Sequence, residues 1–145
     1  MIIRQDQYWC NMYFSVANFD EDPSQITSLL GISPDSSCRK GAIRTLEIDG
    51  VRHSNQHKTG IWSIDSKLPQ EAKFENHLLK MLERLEPLQT GLDELARRGY
   101  SLRMVCSIYL VKGDTGFDIP NHLIQRLANI GCELVVYLYD FVDND

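Results

Sequence analysis

The sequence lacks the cysteine spacing of a metal or redox site. Its four cysteines, Cys10, Cys38, Cys106 and Cys132, are far apart and form no CxxC pair, which excludes the usual zinc-ribbon and thioredoxin motifs. Three of them lie in apolar stretches and are expected in the core, where free cysteine behaves as a small hydrophobe. Cys38 lies in a polar stretch and is the remaining candidate for a reactive thiol.

Long apolar runs and an excess of positive charge are also missing. No window approaches the length of a membrane span, and residues 1–9 carry Arg4 and Asp6 without an apolar run. We therefore expect neither a membrane segment nor a signal peptide. The 15 lysine and arginine residues are outnumbered by 20 aspartate and glutamate residues, for a net charge of −5. Such a chain has no general attraction for nucleic acid, and we expect a cytoplasmic protein.

Common catalytic signatures are absent as well. The sequence has no GxSxG elbow, P-loop, GxGxxG fingerprint or HExxH helix. His53 and His57 are four apart, but the glycines around them indicate a turn and no third ligand lies nearby, so we predict no metal site. His77 and His122 have polar neighbours on predicted helices and are expected at or near the surface. We predict no catalytic residue and no cofactor.

Hydrophobic periodicity shows which elements are present. Over residues 74–98 apolar side chains recur every three or four positions, which predicts an amphipathic helix. Pro87 interrupts it and predicts a kink or a division into two helices. Alternation of apolar and polar residues predicts strands over 8–17 and 102–110, each with one buried face. A further strand is predicted over 58–64, with Trp62 facing inward.

The remaining elements predict an α+β fold. Pro23 and Pro120 begin two short helices, which Gly31 and Gly131 end, and a final strand follows. The order β-α-β-β-α-β-α-β indicates a ferredoxin-like β-α-β-β-α-β core extended by one α-β pair. Its sheet is expected to be antiparallel or mixed, with the helices on one face.

We expect a single domain over residues 1–145, structured over about 8–141 and followed by an acidic tail at 142–145. Asp49-Gly50 is a strong hairpin signal. The surrounding pattern is weak, however, and leaves open whether 46–57 forms a strand hairpin or a loop.

The same alternation assigns a set of aromatic side chains to the sheet face turned away from the helices. They are Trp9, Tyr13, Tyr109, Tyr137 and Tyr139, with Asn11, Arg103 and Ser107 among them. Aromatic residues with polar ends are favoured at protein interfaces. We predict that this face binds another protein or a second copy of the chain, and we expect neither a nucleic-acid nor a membrane partner.

A basic segment supports an alternative function. Its positive residues are Arg39, Lys40, Arg44, Arg52 and Lys58. Within an otherwise acidic chain they predict a patch for an anion or an acidic partner, and they keep open a nucleic-acid-binding hairpin over 39–58. The same charges would also suit a solvated hairpin that protects a sheet edge. A third alternative is an unrecognised enzyme that uses Asp114, Asp118 or the two loop histidines in a cleft.

Several short motifs together resemble one protein family. They are Arg39-Lys40-Gly41, Thr59-Gly60-Ile61-Trp62, the helix pattern from His77 through Pro87 to Leu95, Cys106 in its strand, Gly116-Phe117, and the segment 127–139. As a set, from Tyr13 to Tyr139, they resemble the bacterial family called domain of unknown function 4279. The stretch 46–57 departs from this pattern like an insertion. The resemblance implies a small cytoplasmic α+β domain and transfers no catalytic residue.

These observations favour a non-enzymatic protein-binding module. A small acidic domain also fits the role of an inhibitor of the immunity or antitoxin type. This expectation rests on analogy with that class of proteins.

Overall fold

The computed structural model describes residues 8–56, 58–110 and 116–140, and for 44–48 and 53–56 the description is confined to the backbone. Its strands are β1 (Tyr8–Phe19), β2 (Ser36–Cys38), β3 (Ile43–Ile48), β4 (Val51–Gln56), β5 (Gly60–Asp65), β6 (Ser101–Leu110) and β7 (Glu133–Asp140). Its helices are α1 (Ser24–Leu30), α2 (Phe74–Leu85), a short 3-10 helix (Glu86–Leu88), α3 (Gln89–Arg97) and α4 (Asn121–Ile130). No described helix has the length and apolar character that crossing a membrane requires.

Five strands form one mixed sheet in the order β2-β5-β1-β6-β7. All neighbours are antiparallel except β6 and β7, which run parallel because α4 lies between them as a crossover connection. The predicted α+β class and mixed sheet are confirmed. The ferredoxin-like detail stays a prediction. In the observed order β5 lies between β1 and β2, the strands on either side of α1, and is antiparallel to both.

Alternation along β1 and β6 decides which side chains enter the core. Cys10, Met12, Phe14 and Val16 are all buried on the helix side of β1, as predicted. Together with the buried faces of the helices they form one hydrophobic cluster. The helices therefore cover one face of the sheet, here called the inner face, and the opposite face is called the outer face.

Pro87 divides the long helical segment as its chemistry requires. α2 ends at Leu85, proline occupies the 3-10 turn, and α3 starts at Gln89. Proline lacks the backbone N–H that a continuous helix would use at this point. The division lets α2 and α3 bury their stripes separately in the same cluster.

Between α1 and β5 the chain forms two elements of different kinds. The segment that the sequence left undecided is a hairpin, in which Asp49 and Gly50 have φ of 52° and 78°, the positive values that a tight type I′ turn needs. β3 and β4 pair only with each other among the described residues. β2 was missed by the sequence interpretation because three residues are too few to show alternation.

Candidate protein-interaction face

The outer face is built from side chains that the strand register aligns in rows. Across β1, β6 and β7 the rows are Trp9–Tyr109–Tyr139, Asn11–Ser107–Tyr137, Tyr13–Val105–Val135 and Ser15–Arg103–Glu133. All five aromatic residues predicted to bind a partner therefore lie on one face of three adjacent strands. No described helix packs on this face.

The aromatic side chains combine exposure with a fixed geometry. Tyr137 and Tyr139 are each 45% exposed and Tyr13 is 37% exposed, while Trp9 and Tyr109 are half-buried. The rings of Tyr109 and Tyr139 stack with their centroids 5.0 Å apart and an angle of 16° between planes. Stacking holds these two rings in place before any partner arrives, which reduces the entropy lost on binding.

Polar groups are interleaved with the aromatic rings. Arg103 forms an ion pair with Glu133 across β6 and β7, at 3.7 Å. Burial raises the pKa of the Tyr13 phenol, the nearby phenols of Tyr137 and Tyr139 raise it further, and Arg103 opposes part of that rise. Tyr13 therefore keeps its O–H at neutral pH, as both a hydrogen-bond donor and an acceptor.

A groove of about 570 Å³ opens beside Tyr13. Its lining includes Asn11, Tyr13, Ser107, Asp35, Ser63 and Lys67. Its volume lies in the range that can receive a small group of atoms from a partner, and hydroxyl, amide and carboxylate groups face into one space. It adds a concave site to an otherwise open sheet face.

One wall of this groove is held by an ion-pair network that the sequence did not predict. Asp35 is 3.1 Å from the Lys67 ammonium and 3.5 Å from Arg84, and it accepts a hydrogen bond from the backbone N–H of Asp65 at 2.9 Å. Burial raises the pKa of Asp35, but the Asp65 N–H and Lys67 outweigh it and leave the pKa below its ordinary value. The residues are far apart in sequence, and no local pattern links them.

Two of the basic residues form ion pairs within the chain. Arg39 is 3.6 Å from Asp22, and Lys40 is 3.1 Å from Asp20, so carboxylates at the start of α1 neutralise part of the charge. Arg52 lies on β4, Lys58 follows it, and both are exposed. For Arg44 the description is limited to its backbone position on β3.

The described cysteines fall into two groups. Cys10 and Cys106 are fully buried on the inner face, with 3.3 Å between their sulfur atoms, which confirms the prediction for these two. Cys132 is half-buried against the core, and burial raises its pKa to about 11. Cys38 lies half-buried on β2, in the polar segment where the sequence placed it.

His77 corrects the expectation that it lies at or near the surface. It is fully buried, and its Nδ1 lies 2.7 Å from the Ser66 hydroxyl. The error arose because its polar neighbours on α2 face solvent while its own position lies on the buried stripe. The serine and histidine are both enclosed, at 3% and 0% exposure, so this contact joins a loop to a helix within the core.

Burial lowers the pKa of His77, and the nearby carbonyl groups of Pro69 and Ala72 offset only part of the effect. The folded protein keeps a neutral ring at pH values where the unfolded chain, with an ordinary pKa of 6.5, binds a proton. Proton uptake on unfolding then favours the unfolded state. We expect the free energy of unfolding to fall as pH decreases below about 6.5.

The measurement is a series of denaturant unfolding curves between roughly pH 7.5 and 5. His77→Gln should remove much of the loss of stability with falling pH, whatever its effect at pH 7.5. His122→Gln, at an exposed position on α4, is the matched control and should keep the wild-type slope. Equal slopes for wild type and His77→Gln would contradict the expectation.

Most of the other candidates for catalysis lie outside the part of the chain that the structure describes in full. Asp118 is exposed in the segment that precedes α4. Asp114 and His57 lie outside the described residues. For His53 the description is limited to the backbone. Within residues 8–56, 58–110 and 116–140 no three histidine, cysteine, aspartate or glutamate side chains are grouped to hold a metal ion.

Comparison with known proteins gives partial similarity to one large protein in three organisms. Elongator complex protein 3 of Schizosaccharomyces pombe is 27% identical over 99 residues, which is 63% of this chain and 18% of that protein. The Danio rerio protein is 30% identical over 105 residues (66% and 19%), and the Saccharomyces cerevisiae protein is 29% identical over 93 (59% and 17%). The chain thus spans less than a fifth of each relative's length.

No solved structure gives a significant match to this chain. The model of one protein family, in contrast, matches residues 8–141, from the start of β1 to just beyond β7. That range includes every row of the outer face and both sides of the groove. The chain belongs to the family described as domain of unknown function, DUF4279.

Proposed function

We propose that this domain is a non-enzymatic protein-binding module whose interface is the outer face of the sheet. The observation that carries the proposal is the row structure of that face, where Tyr13, Tyr137 and Tyr139 are each more than a third exposed. Monomeric proteins seldom leave several large aromatic side chains together on a face without a partner. The partner is another protein, with a second copy of the chain as the alternative occupant.

The composition of the face supports a protein partner. Tyrosine, tryptophan and arginine are the residues most often found at energetic centres of interfaces, and serine and asparagine add adaptable hydrogen bonding beside them. The row Asn11–Ser107–Tyr137 lies between two aromatic rows. Polar groups are therefore available to a partner throughout the face rather than only at its rim.

The shape of the outer face suits an interface in which a side chain of the partner enters a groove. Strands β1 and β6 hold Tyr13 and Tyr109 on rigid backbone, and the groove beside Tyr13 can receive a side chain of the partner. Centres of binding energy form where one side chain fills a pocket and its neighbours exclude water. We place the centre of the interface at Tyr13 and Tyr109.

The biological setting that we propose follows from the same features. A small domain with a net charge of −5 and a preformed aromatic face suits an inhibitor of the immunity or antitoxin type, acting in the reducing cytoplasm. The similar segment of Elongator complex protein 3 belongs to a protein named as part of a complex. That name supports an assembly role for this chain rather than any particular partner.

Photo-cross-linking in cells tests the interface directly. A photoreactive phenylalanine analogue in place of Tyr13 should cross-link one defined partner, whereas the same analogue in place of Ile124, 48% exposed on α4, should not. With the purified partner, Tyr13→Ala and Tyr109→Ala should each weaken binding by about 30-fold, since central interface residues contribute about 2 kcal/mol or more.

Ile124→Ala serves as the matched control and should leave the affinity unchanged. Equal cross-linking from both positions, no cross-linked protein from Tyr13, or an unchanged affinity in both tyrosine variants would overturn the proposal. The variants should also unfold cooperatively, which separates lost contact from lost structure.

A further inference from the structure

The two edges of the sheet differ in how they are protected. β2 ends one side of the sheet with only three residues, of which Ser36 and Ser37 are exposed and polar. β7 ends the other side with eight residues, and among the described residues it pairs with β6 and with no other strand. Long edge strands expose unpaired backbone groups that readily pair with another strand.

Between its terminal residues Glu133 and Asp140, β7 carries none of the side chains or bulges that usually block such pairing. Natural edges are protected by lysine, proline, bulges or inward-pointing charges. The five residues 135–139 are valine, tyrosine or leucine, and the register with β6 continues without a shift from Glu133 to Asp140. Leu138, at 64% exposed, is among the most exposed large hydrophobic side chains of the described residues.

We infer that the open edge of β7 pairs with the β7 of a second copy of this chain, antiparallel and related by a two-fold axis. Such an axis is perpendicular to the sheet, so inner faces continue into inner faces and outer faces into outer faces. Two residues that face each other across the paired strands must then lie on the same face of the sheet. The two-fold axis therefore passes through one residue of β7 and not between two residues. This inference concerns the edge and does not rest on the proposed function of the outer face.

Side-chain matching places the axis at Val136. In that register Val135 faces Tyr137 of the second copy, and Leu134 faces Leu138, so apolar residues meet across the whole centre. With the axis moved to Tyr137, Leu134 would instead face Asp140. Opposed apolar and aromatic pairs stabilise an antiparallel ladder, whereas a carboxylate facing leucine does not.

Charge also favours a second copy as the occupant. β7 has an acidic residue at each end, Glu133 and Asp140. With the axis at Val136, Glu133 faces Tyr139 and Asp140 faces Cys132, so no carboxylate is placed directly opposite another. A closed, isologous contact of this kind is the commonest form of protein dimer.

Pairing would join the two five-stranded sheets into one continuous sheet. The outer-face tyrosines of β7 would then lie next to those of the second copy, and the aromatic surface would double in width. The dimer would offer a partner two equivalent binding surfaces side by side.

Sedimentation equilibrium tests the dimer. The wild-type chain should sediment at twice its mass of 16.7 kDa, and Leu138→Lys should sediment at the monomer mass because it places a charge opposite Leu134. Ile124→Lys makes the same change at an exposed apolar position on α4 and should remain a dimer. A monomeric wild type, or a Leu138→Lys variant that remains a dimer, overturns the inference.

Cysteine cross-linking tests the register and keeps the inference testable if Leu138→Lys fails to fold. In a background with Cys38→Ser, Cys106→Ala and Cys132→Ser, which also removes the cysteine beside Val136 on β6, Val136→Cys should form a disulfide with its own copy under mild oxidation. Opposite positions of an antiparallel pair bring the Cα atoms to about 4.5–5.5 Å, within disulfide range. Tyr137→Cys is the control and should cross-link far less; equal cross-linking, or none from Val136→Cys, overturns the assigned axis.

The two proposals fail separately. Leu138 lies on the inner-face side of β7, so Leu138→Lys should abolish dimerisation while cross-linking of a partner from Tyr13 persists. Tyr13 and Tyr109 lie on β1 and β6, which are not edge strands. Tyr13→Ala and Tyr109→Ala should therefore leave the sedimentation mass at the dimer value.

Discussion

Replacement of Trp62 by alanine should lower the free energy of unfolding by about 3–5 kcal/mol, the typical cost of removing a large buried aromatic side chain. Trp62 is fully buried on β5 and is the largest fully buried side chain among the described residues. Its loss leaves a cavity between the sheet and α1 in addition to the lost burial. Because small domains have only about 5–15 kcal/mol of net stability, this one substitution is expected to remove much of it.

The indole of Trp62 also makes a specific hydrogen bond. Its Nε1–H donates to the Thr27 hydroxyl at 3.0 Å, which links β5 to α1. Thr27→Val would leave this donor without an acceptor, at a cost of about 1–3 kcal/mol. Trp62→Phe keeps most of the ring and removes the donor, so Thr27→Val should cost less in the Trp62→Phe background than in the wild type.

Denaturant unfolding followed by circular dichroism measures these changes without relying on tryptophan emission. Tyr137→Ala is the aromatic control, because Tyr137 is 45% exposed on an edge strand, and it should cost far less than Trp62→Ala. A loss for Trp62→Ala no larger than that for Tyr137→Ala would contradict the assigned burial.

Gly60→Ala should destabilise the protein by about 1–3 kcal/mol, the usual cost of forcing extra atoms into a filled core. A Cβ atom at Gly60 would lie 2.6 Å from both Cδ2 and Cζ of Phe19 and closer still to Cε2. Phe19 is itself only 2% exposed. Its ring has little room to move away, and either the ring or β5 must shift.

The backbone explains why Phe19 lies over this glycine. The pairing of β1 with β5 shifts register between Ala17 and Phe19, and Asn18 adopts a φ of 69° at the shift. Phe19 thereby comes opposite Gly60, where the missing side chain leaves space for the ring. Glycine within a strand commonly marks such a close approach.

Gly116→Ala is the matched control, because no atom of the described residues lies within 4 Å of a Cβ built there, and its stability should stay near that of the wild type. In the double variant Phe19→Leu/Gly60→Ala the smaller side chain should relieve the clash, so the combined loss should be less than the sum of the two single losses. Additive losses, or an unchanged midpoint for Gly60→Ala, would show that the ring does not occupy this space.

The local sequence pattern was enough to predict the helices that bury an apolar stripe and the strands that bury one face. The strands around Met12 and Met104, the division of the helix at Pro87 and the turn at Asp49-Gly50 each depend on residues close together in the chain. The outer-face tyrosines were predictable for the same reason, since alternation assigns each residue of a strand to one face. Alternation does not, however, show which strands pair with each other in the sheet.

Long-range contacts account for what the sequence did not predict. The joining of Asp35, Lys67 and Arg84 beside the groove was missed, because these residues are separated by many positions and no short window contains them. Asp114, His57 and the acidic end at 142–145 lie outside the described residues and remain predictions.

The sequence by itself determined the α+β class, the buried side of each main strand and the aromatic character of the opposite side, because these follow from the spacing of apolar residues along the chain. Tertiary structure alone decided the strand order, the groove beside Tyr13 and the open edge at β7. Those features depend on which distant segments meet, and that choice is made by the burial of the whole inner face at once rather than by any segment alone.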